Sequence, residues 1–173
     1  IVTSHNLEKL KTIGDSYMCV SGVPLESRGH AIRICLAALE MQSYMERANE
    51  QREKMRMPRW DMRVGIHTGP VIAGVVGQQK FTYDIWGDAV NTAALMEQKS
   101  DPGKINISST TFQHVNDVFE IEERGKINSG KKGDLPMYFL SRLRTEFSKD
   151  QLGLKTNEVF DQKFGHLMKI YGS

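Results

Sequence analysis

Leu7-Glu8-Lys9-Leu10-Lys11-Thr12-Ile13-Gly14-Asp15-Ser16-Tyr17-Met18-Cys19-Val20 is the stretch whose reading decides the fold class. Apolar residues alternate in part over 7–13, Gly14-Asp15 interrupts them, and a β-prone apolar run resumes over 17–20. That pattern predicts two strands joined by a tight turn, with Asp15 at the hairpin tip. Downstream, Ala31, Ile34, Ala38, Met41 and Met45 recur at helical spacing, with Arg33, Glu40 and Arg47 between them. The spacing predicts a long amphipathic helix over about 27–55 that ends before Pro58.

The rest of the chain continues the alternation. Residues 62–67 and 71–76 read as two strands around Thr68-Gly69-Pro70, a second expected hairpin. A short strand over 81–86 precedes a helix to about Lys99 that Asp88 is placed to cap, and Asp101-Pro102-Gly103 stops it. Strands at 105–107, 119–121 and 137–140 and a short helix from Ser109 complete an α+β pattern. After Arg144 the chain turns polar with weak helical patches, so 144–173 is expected to be a C-terminal extension of a body spanning 1–143.

The chain has 173 residues and 39% hydrophobic content, enough for one globular core. Its net charge of +2 comes from 23 basic and 21 acidic residues spread along the sequence, so no basic run marks a nucleic-acid surface and no nucleic-acid partner is expected. Cys19 and Cys35 lack any metal-binding spacing and read as buried free thiols. No apolar run approaches the roughly 20 residues that span a bilayer, and no charged-then-apolar leader opens the chain. The expectation is a cytoplasmic domain without direct membrane insertion, either free or the cytosolic part of a larger sensor or membrane protein. Ile1 falls inside an apolar pattern without a cap, which reads as a truncated beginning.

Four segments carry a resemblance. Leu10-Lys11-Thr12-Ile13-Gly14-Asp15-Ser16-Tyr17-Met18 resembles the second-metal and purine-binding segment of class III adenylate cyclases, and Val64-Gly65-Ile66-His67-Thr68-Gly69-Pro70-Val71 resembles their next core hairpin. Tyr83-Asp84-Ile85-Trp86-Gly87-Asp88-Ala89-Val90-Asn91 is similar to the most recognisable stretch of that family, and Lys132-Gly133-Asp134-Leu135 with the run to Phe139 resembles its closing loop and strand. One such match arises by chance in unrelated folds; four in order at compatible spacing do not. The resemblance covers about residues 1–143. It implies a ferredoxin-like class III nucleotide cyclase fold, an antiparallel-rich sheet flanked by helices. It further implies head-to-tail pairing as a homodimer or with a second cyclase-like chain, the active site lying between subunits.

The same resemblance assigns roles. The implied reaction is conversion of ATP to 3′,5′-cyclic AMP and pyrophosphate with two Mg2+ or Mn2+ ions per site, hard cations that take oxygen ligands. Asp15 matches one metal aspartate; alone, an aspartate after glycine is usually a turn residue. The other metal aspartate lies in the family on an earlier strand, and nothing before Leu7 resembles that segment, so the first strand and helix are expected to be missing from this chain. Lys11 matches the lysine that donates to N1 of adenine, and Asp84 the acceptor for the adenine amino group. The bland alternatives are a solvated strand lysine and a structural loop aspartate. Asn91 matches an asparagine that positions the ribose and orients the reacting phosphate, and is the catalytic candidate. Lys131, in the Gly- and Lys-rich loop over 125–133, is either a triphosphate contact or solvated surface. His30, His67 and His114 lack metal-site spacing and are assigned no role.

One departure stands out. One helical turn after Asn91 the family places a charge-stabilising arginine, and this chain has Leu95. Leu95 therefore keeps a rival reading open: a degenerate cyclase-homology domain that binds a nucleotide or a partner domain without turnover.

Overall fold

The computed structural model describes residues 1–129 and 133–171. Its strands are β1 (Glu8–Ile13), β2 (Ser16–Val20), β3 (Val64–Ile66), β4 (Ile72–Val76), β5 (Thr82–Trp86), β6 (Ile105–Ser108), β7 (Phe119–Asn128) and β8 (Asp134–Leu143). Its helices are α1 (His30–Lys54), α2 (Asp88–Gln98), α3 (Ser109–Val115) and α4 (Glu158–Phe164), with a 3-10 turn at Thr145–Phe147. The central sheet has the order β3-β6-β8-β7, with β3 parallel to β6 and the other pairs antiparallel. Two separate two-stranded sheets, β1-β2 and β4-β5, stand beside it.

The first hairpin forms as its sequence predicts: Ile13 pairs with Ser16 across Gly14-Asp15, and Gly14 takes a φ of 62°, the left-handed region that glycine enters without cost. The second expected hairpin is corrected. β3 does not pair with β4; it runs parallel to β6, and the hairpin is β4 with β5, in register from Ile72↔Trp86 to Val76↔Thr82. β3 also packs closely on α2 at Gly65. A Cβ there would stand 2.0 Å from the Glu97 amide nitrogen and 2.6 Å from the Ala93 carbonyl, so only glycine lets β3 lie directly on α2.

Two further boundaries differ. Gly87, with φ of 136°, is the N-cap of α2, and Asp88 is its first residue, where its charge complements the helix dipole instead of capping. The loop expected over 125–133 is shorter, because β7 continues through a bulge around Glu123/Gly125 to Asn128 and pairs there with Asp134.

The core lies between α1 and the central sheet: Ile32, Cys35, Leu36 and Leu39 of α1 pack with Ile66, Ile105, Ile107, Phe119, Leu140 and Leu143. Full burial pushes the Cys35 thiol up, out of the range where it would react as thiolate. Residues 144–171 contribute to this same core. Phe147, Phe160 and Phe164 are buried in it, and the Phe147 and Phe164 rings meet edge to face at 5.2 Å. Asn157 caps α4, its Oδ1 accepting from the Phe160 amide at 3.0 Å. We expect Phe160→Ala to cost about 3–5 kcal/mol of stability in urea unfolding; a loss below about 1 kcal/mol would mean the tail is peripheral.

Candidate active site

Lys11 and Asp84 are brought together from opposite hairpins. Lys11 sits on β1 just after an irregularity in the β1–β2 register between Lys9 and Lys11, the kind of bulge that re-aims a side chain. Asp84 is the middle residue of β5. Lys11 Nζ lies 2.5 Å from Asp84 Oδ2, with the lysine side chain 39% and the aspartate 14% exposed. The Ile85 amide donates to the other carboxylate oxygen, Oδ1, at 2.9 Å. The Lys11 ammonium, and after it the Ile85 amide, hold the Asp84 carboxyl below its ordinary range against the opposing effect of burial. The pair therefore presents an ammonium donor beside a fully ionised acceptor.

Asp15 stands exposed at the tip of the β1–β2 hairpin. Its carboxylate has the oxygen chemistry that a hard divalent cation prefers, but one carboxylate does not make a binding site. Among the described residues there is no group of three or more His, Cys, Asp or Glu side chains able to hold a metal ion. The donor type fits and the donor number does not, so a metal held at Asp15 needs ligands from outside the described part of this chain.

Asn91 is exposed on α2 and Leu95, one turn further, is half-buried. Both line a recess of about 350 Å3 with Asp88, Thr92, Ala94, Gln98 and Ser129. No lysine or arginine is among these lining residues. Lys131 and its neighbour Lys132 lie outside the described residues. The structure thus joins Lys11 to Asp84, and places Asp15 on the hairpin of the first and Asn91 on the helix that follows the strand of the second.

One surface escaped the sequence reading. Ile72, Val75 and Phe81 of the β4–β5 hairpin are 73%, 63% and 72% exposed, and Ile13, Tyr17 and Trp86 are exposed as well. The signal was present: 71–76 is an unbroken apolar run, which in a hairpin puts apolar side chains on both faces, and Ile72 and Val75, on opposite faces of β4, are both left exposed by the described residues. Among the described residues no helix is long and apolar enough to cross a membrane.

The family model of the adenylate and guanylate cyclase catalytic domain matches residues 1–142. An adenylate cyclase of Mycobacterium tuberculosis is 41% identical over 140 residues, covering 81% of this chain and 31% of that protein. The guanylate cyclase soluble subunit beta-2 of Rattus norvegicus is 42% identical over 141 residues, covering 81% of this chain and 20% of its own length. The solved guanylate cyclase domain of RhGC from Catenaria anguillulae, in complex with GTP, superposes with a TM-score of 0.73 at 29% identity, covering 83% of this chain and 76% of that one. The chain spans less than a third of the length of these two curated relatives. With the family model matching nearly all of the body and solved cyclase domains sharing its α+β architecture, the chain belongs to the class III adenylate and guanylate cyclase catalytic domains.

Proposed function

We propose that this domain cyclises ATP to 3′,5′-cyclic AMP, and the observation that carries the choice of base is the Lys11–Asp84 pair. Adenine offers an acceptor at N1 and a donor at its 6-amino group. Lys11 can only donate and ionised Asp84 can only accept, so the pair matches both positions of adenine. Guanine offers an N1–H donor and a 6-carbonyl acceptor, which would set donor against donor and carbonyl against carboxylate. Relatives of both specificities exist, so this pair rather than overall similarity supports ATP.

In the reaction the ribose 3′ oxygen attacks the α-phosphorus, its proton is lost, and the bond from that phosphorus to the bridging oxygen breaks to release pyrophosphate. Asn91 holds the ribose so that the 3′ oxygen faces the phosphorus, an amide suited to hydrogen bonding in either direction. Asp15 would hold a divalent cation, Mg2+ or Mn2+, through one carboxylate oxygen, and such a cation would supply charge neutralisation of the phosphates. Lys131 contributes a triphosphate contact. The remaining carboxylate and the charge that Leu95 lacks come from beyond the described residues.

Pairing with a second cyclase domain, a like copy or a different one, is supported by the exposed apolar side chains of β4–β5 and by the incomplete metal donor set among the described residues. A substrate of this kind places the catalytic body in the ATP-containing cytoplasm. The body we propose is 1–143, with 144–173 as its C-terminal extension, whose Phe147, Phe160 and Phe164 pack into the body's core.

Leu95 favours a second reading, in which the domain binds nucleotide or partner without turnover. The two readings separate on one assay. With Mn2+ and ATP, the enzyme reading expects cyclic AMP formation that Leu95→Arg raises by roughly 10²-fold in kcat. ATP binding with no cyclic AMP from either protein supports the regulatory module. On either reading, Asp84→Ala should weaken discrimination of ATP over GTP by about 10- to 100-fold, measured as a ratio of affinities or of kcat/KM. An unchanged ratio removes Asp84 from base recognition.

A further inference from the structure

We infer that Arg33 is a positioning residue for the β1–β2 hairpin, setting from the buried side where Lys11 and Asp15 stand. Arg33 lies on α1 and is only 6% exposed. Its Nη1 donates to the His5 carbonyl at 3.3 Å and its Nη2 to the Met168 carbonyl at 2.5 Å. Its buried Nε has no hydrogen-bond partner among the described residues.

One carbonyl lies on the chain entering the hairpin and the other on the tail segment beside the connector that follows it. His5 lies in the N-terminal turn that leads into β1, a turn closed by Leu7 N–H to Val2 at 3.0 Å and tied to α1 again through His5 Nε2 and Glu40 Oε2 at 2.7 Å. Met168 lies in the tail segment that clasps the connector between β2 and α1. There the Gly29 amide donates to Leu167 at 2.8 Å, Ser27 Oγ to the same carbonyl at 3.3 Å, and the Tyr171 amide to Glu26 at 2.9 Å. One guanidinium therefore joins the chain entering the hairpin to the segment that holds the chain leaving it.

That junction ties the hairpin to α1 beside the His5–Glu40 contact and the buried Leu7 side chain. Among the described residues, β1 and β2 pair only with each other and not with the central sheet. The hairpin is held at its side by Lys11 on Asp84 and at its base by Arg33. A buried guanidinium satisfied by two carbonyls and no carboxylate is a poor device for stability, since its desolvation is costly and an apolar side chain of similar volume is often as stable. It is a good device for geometry, because the planar fork fixes two backbone segments at once.

The inference rests on the proposed nucleotide reading only for what the hairpin binds. The test is hydrogen exchange read by mass spectrometry on the intact protein, comparing wild type with Arg33→Met, which keeps volume, and Arg33→Lys, which can reach one carbonyl. Arg33→Met should speed exchange over 8–20 by at least about tenfold, with Arg33→Lys between it and wild type. Exchange in α2, β6 and β8 should stay unchanged, and Tm should move by no more than about 4 °C. ATP binding by the same variant should weaken by about tenfold, with kcat less affected. Unaltered exchange over 8–20 overturns the inference, as does acceleration spread evenly over the chain, which would mark Arg33 as merely structural. If Arg33→Met does not fold, Arg33→Lys alone decides on the same criteria. If the hairpin loosens as expected while wild type binds no ATP, the nucleotide reading fails and the positioning role of Arg33 stands.

Discussion

Lys11 and Asp84 are 73 residues apart in sequence and sit in two small sheets, neither hydrogen-bonded to the central one among the described residues. Their contact is the constraint through which the two hairpins become one site. Without it, β1–β2 with Asp15 and β5 with the helix of Asn91 would hang on separate parts of the core. The contact is partly exposed, and exposed ion pairs stabilise folds little. Its value lies in arrangement: a donor and an acceptor fixed side by side, with the carboxylate further oriented by the Ile85 amide.

Around this pair the molecule divides its labour. The core of α1 and the central sheet is apolar and closed, and the tail phenylalanines seal it. Close packing at Gly65 sets β3 on α2, and so fixes the helix that presents Asn91 and Leu95. The functional groups are carried on exposed hairpins and one helix face, beside apolar side chains that the described residues leave uncovered. An incomplete donor set at Asp15 and a recess with no cation among its described lining residues are what one half of a shared site would look like. They are equally what a domain that has lost turnover would keep.

How much of this the sequence made legible depended on the range of each interaction. The Gly14-Asp15 turn is local and was readable from the seven residues before it and the five after it. The Thr68-Gly69-Pro70 turn looked alike, yet β3 found its partner in β6, some forty residues downstream by sequence, a pairing that no local pattern encodes. Phe147, Phe160 and Phe164 lie at irregular spacing in polar surroundings, so neither helical nor strand periodicity marked them as core. For the site, Lys11 read alone as a solvated lysine and Asp84 as a loop aspartate; the resemblance to a family joined them, and the geometry then placed them in contact. Arg33 gave no signal, since a lone arginine on an amphipathic helix reads as its polar face.

The most direct test of base recognition exchanges the pair, Lys11→Asp with Asp84→Lys, and measures ATP against GTP affinity beside wild type. The exchange keeps an ion pair between the hairpins but reverses donor and acceptor, so the acceptor now faces position 1 of the purine and the donor position 6. The account predicts that the preference for ATP inverts toward GTP. An exchanged protein that folds, binds nucleotide and still prefers ATP as wild type does would contradict it.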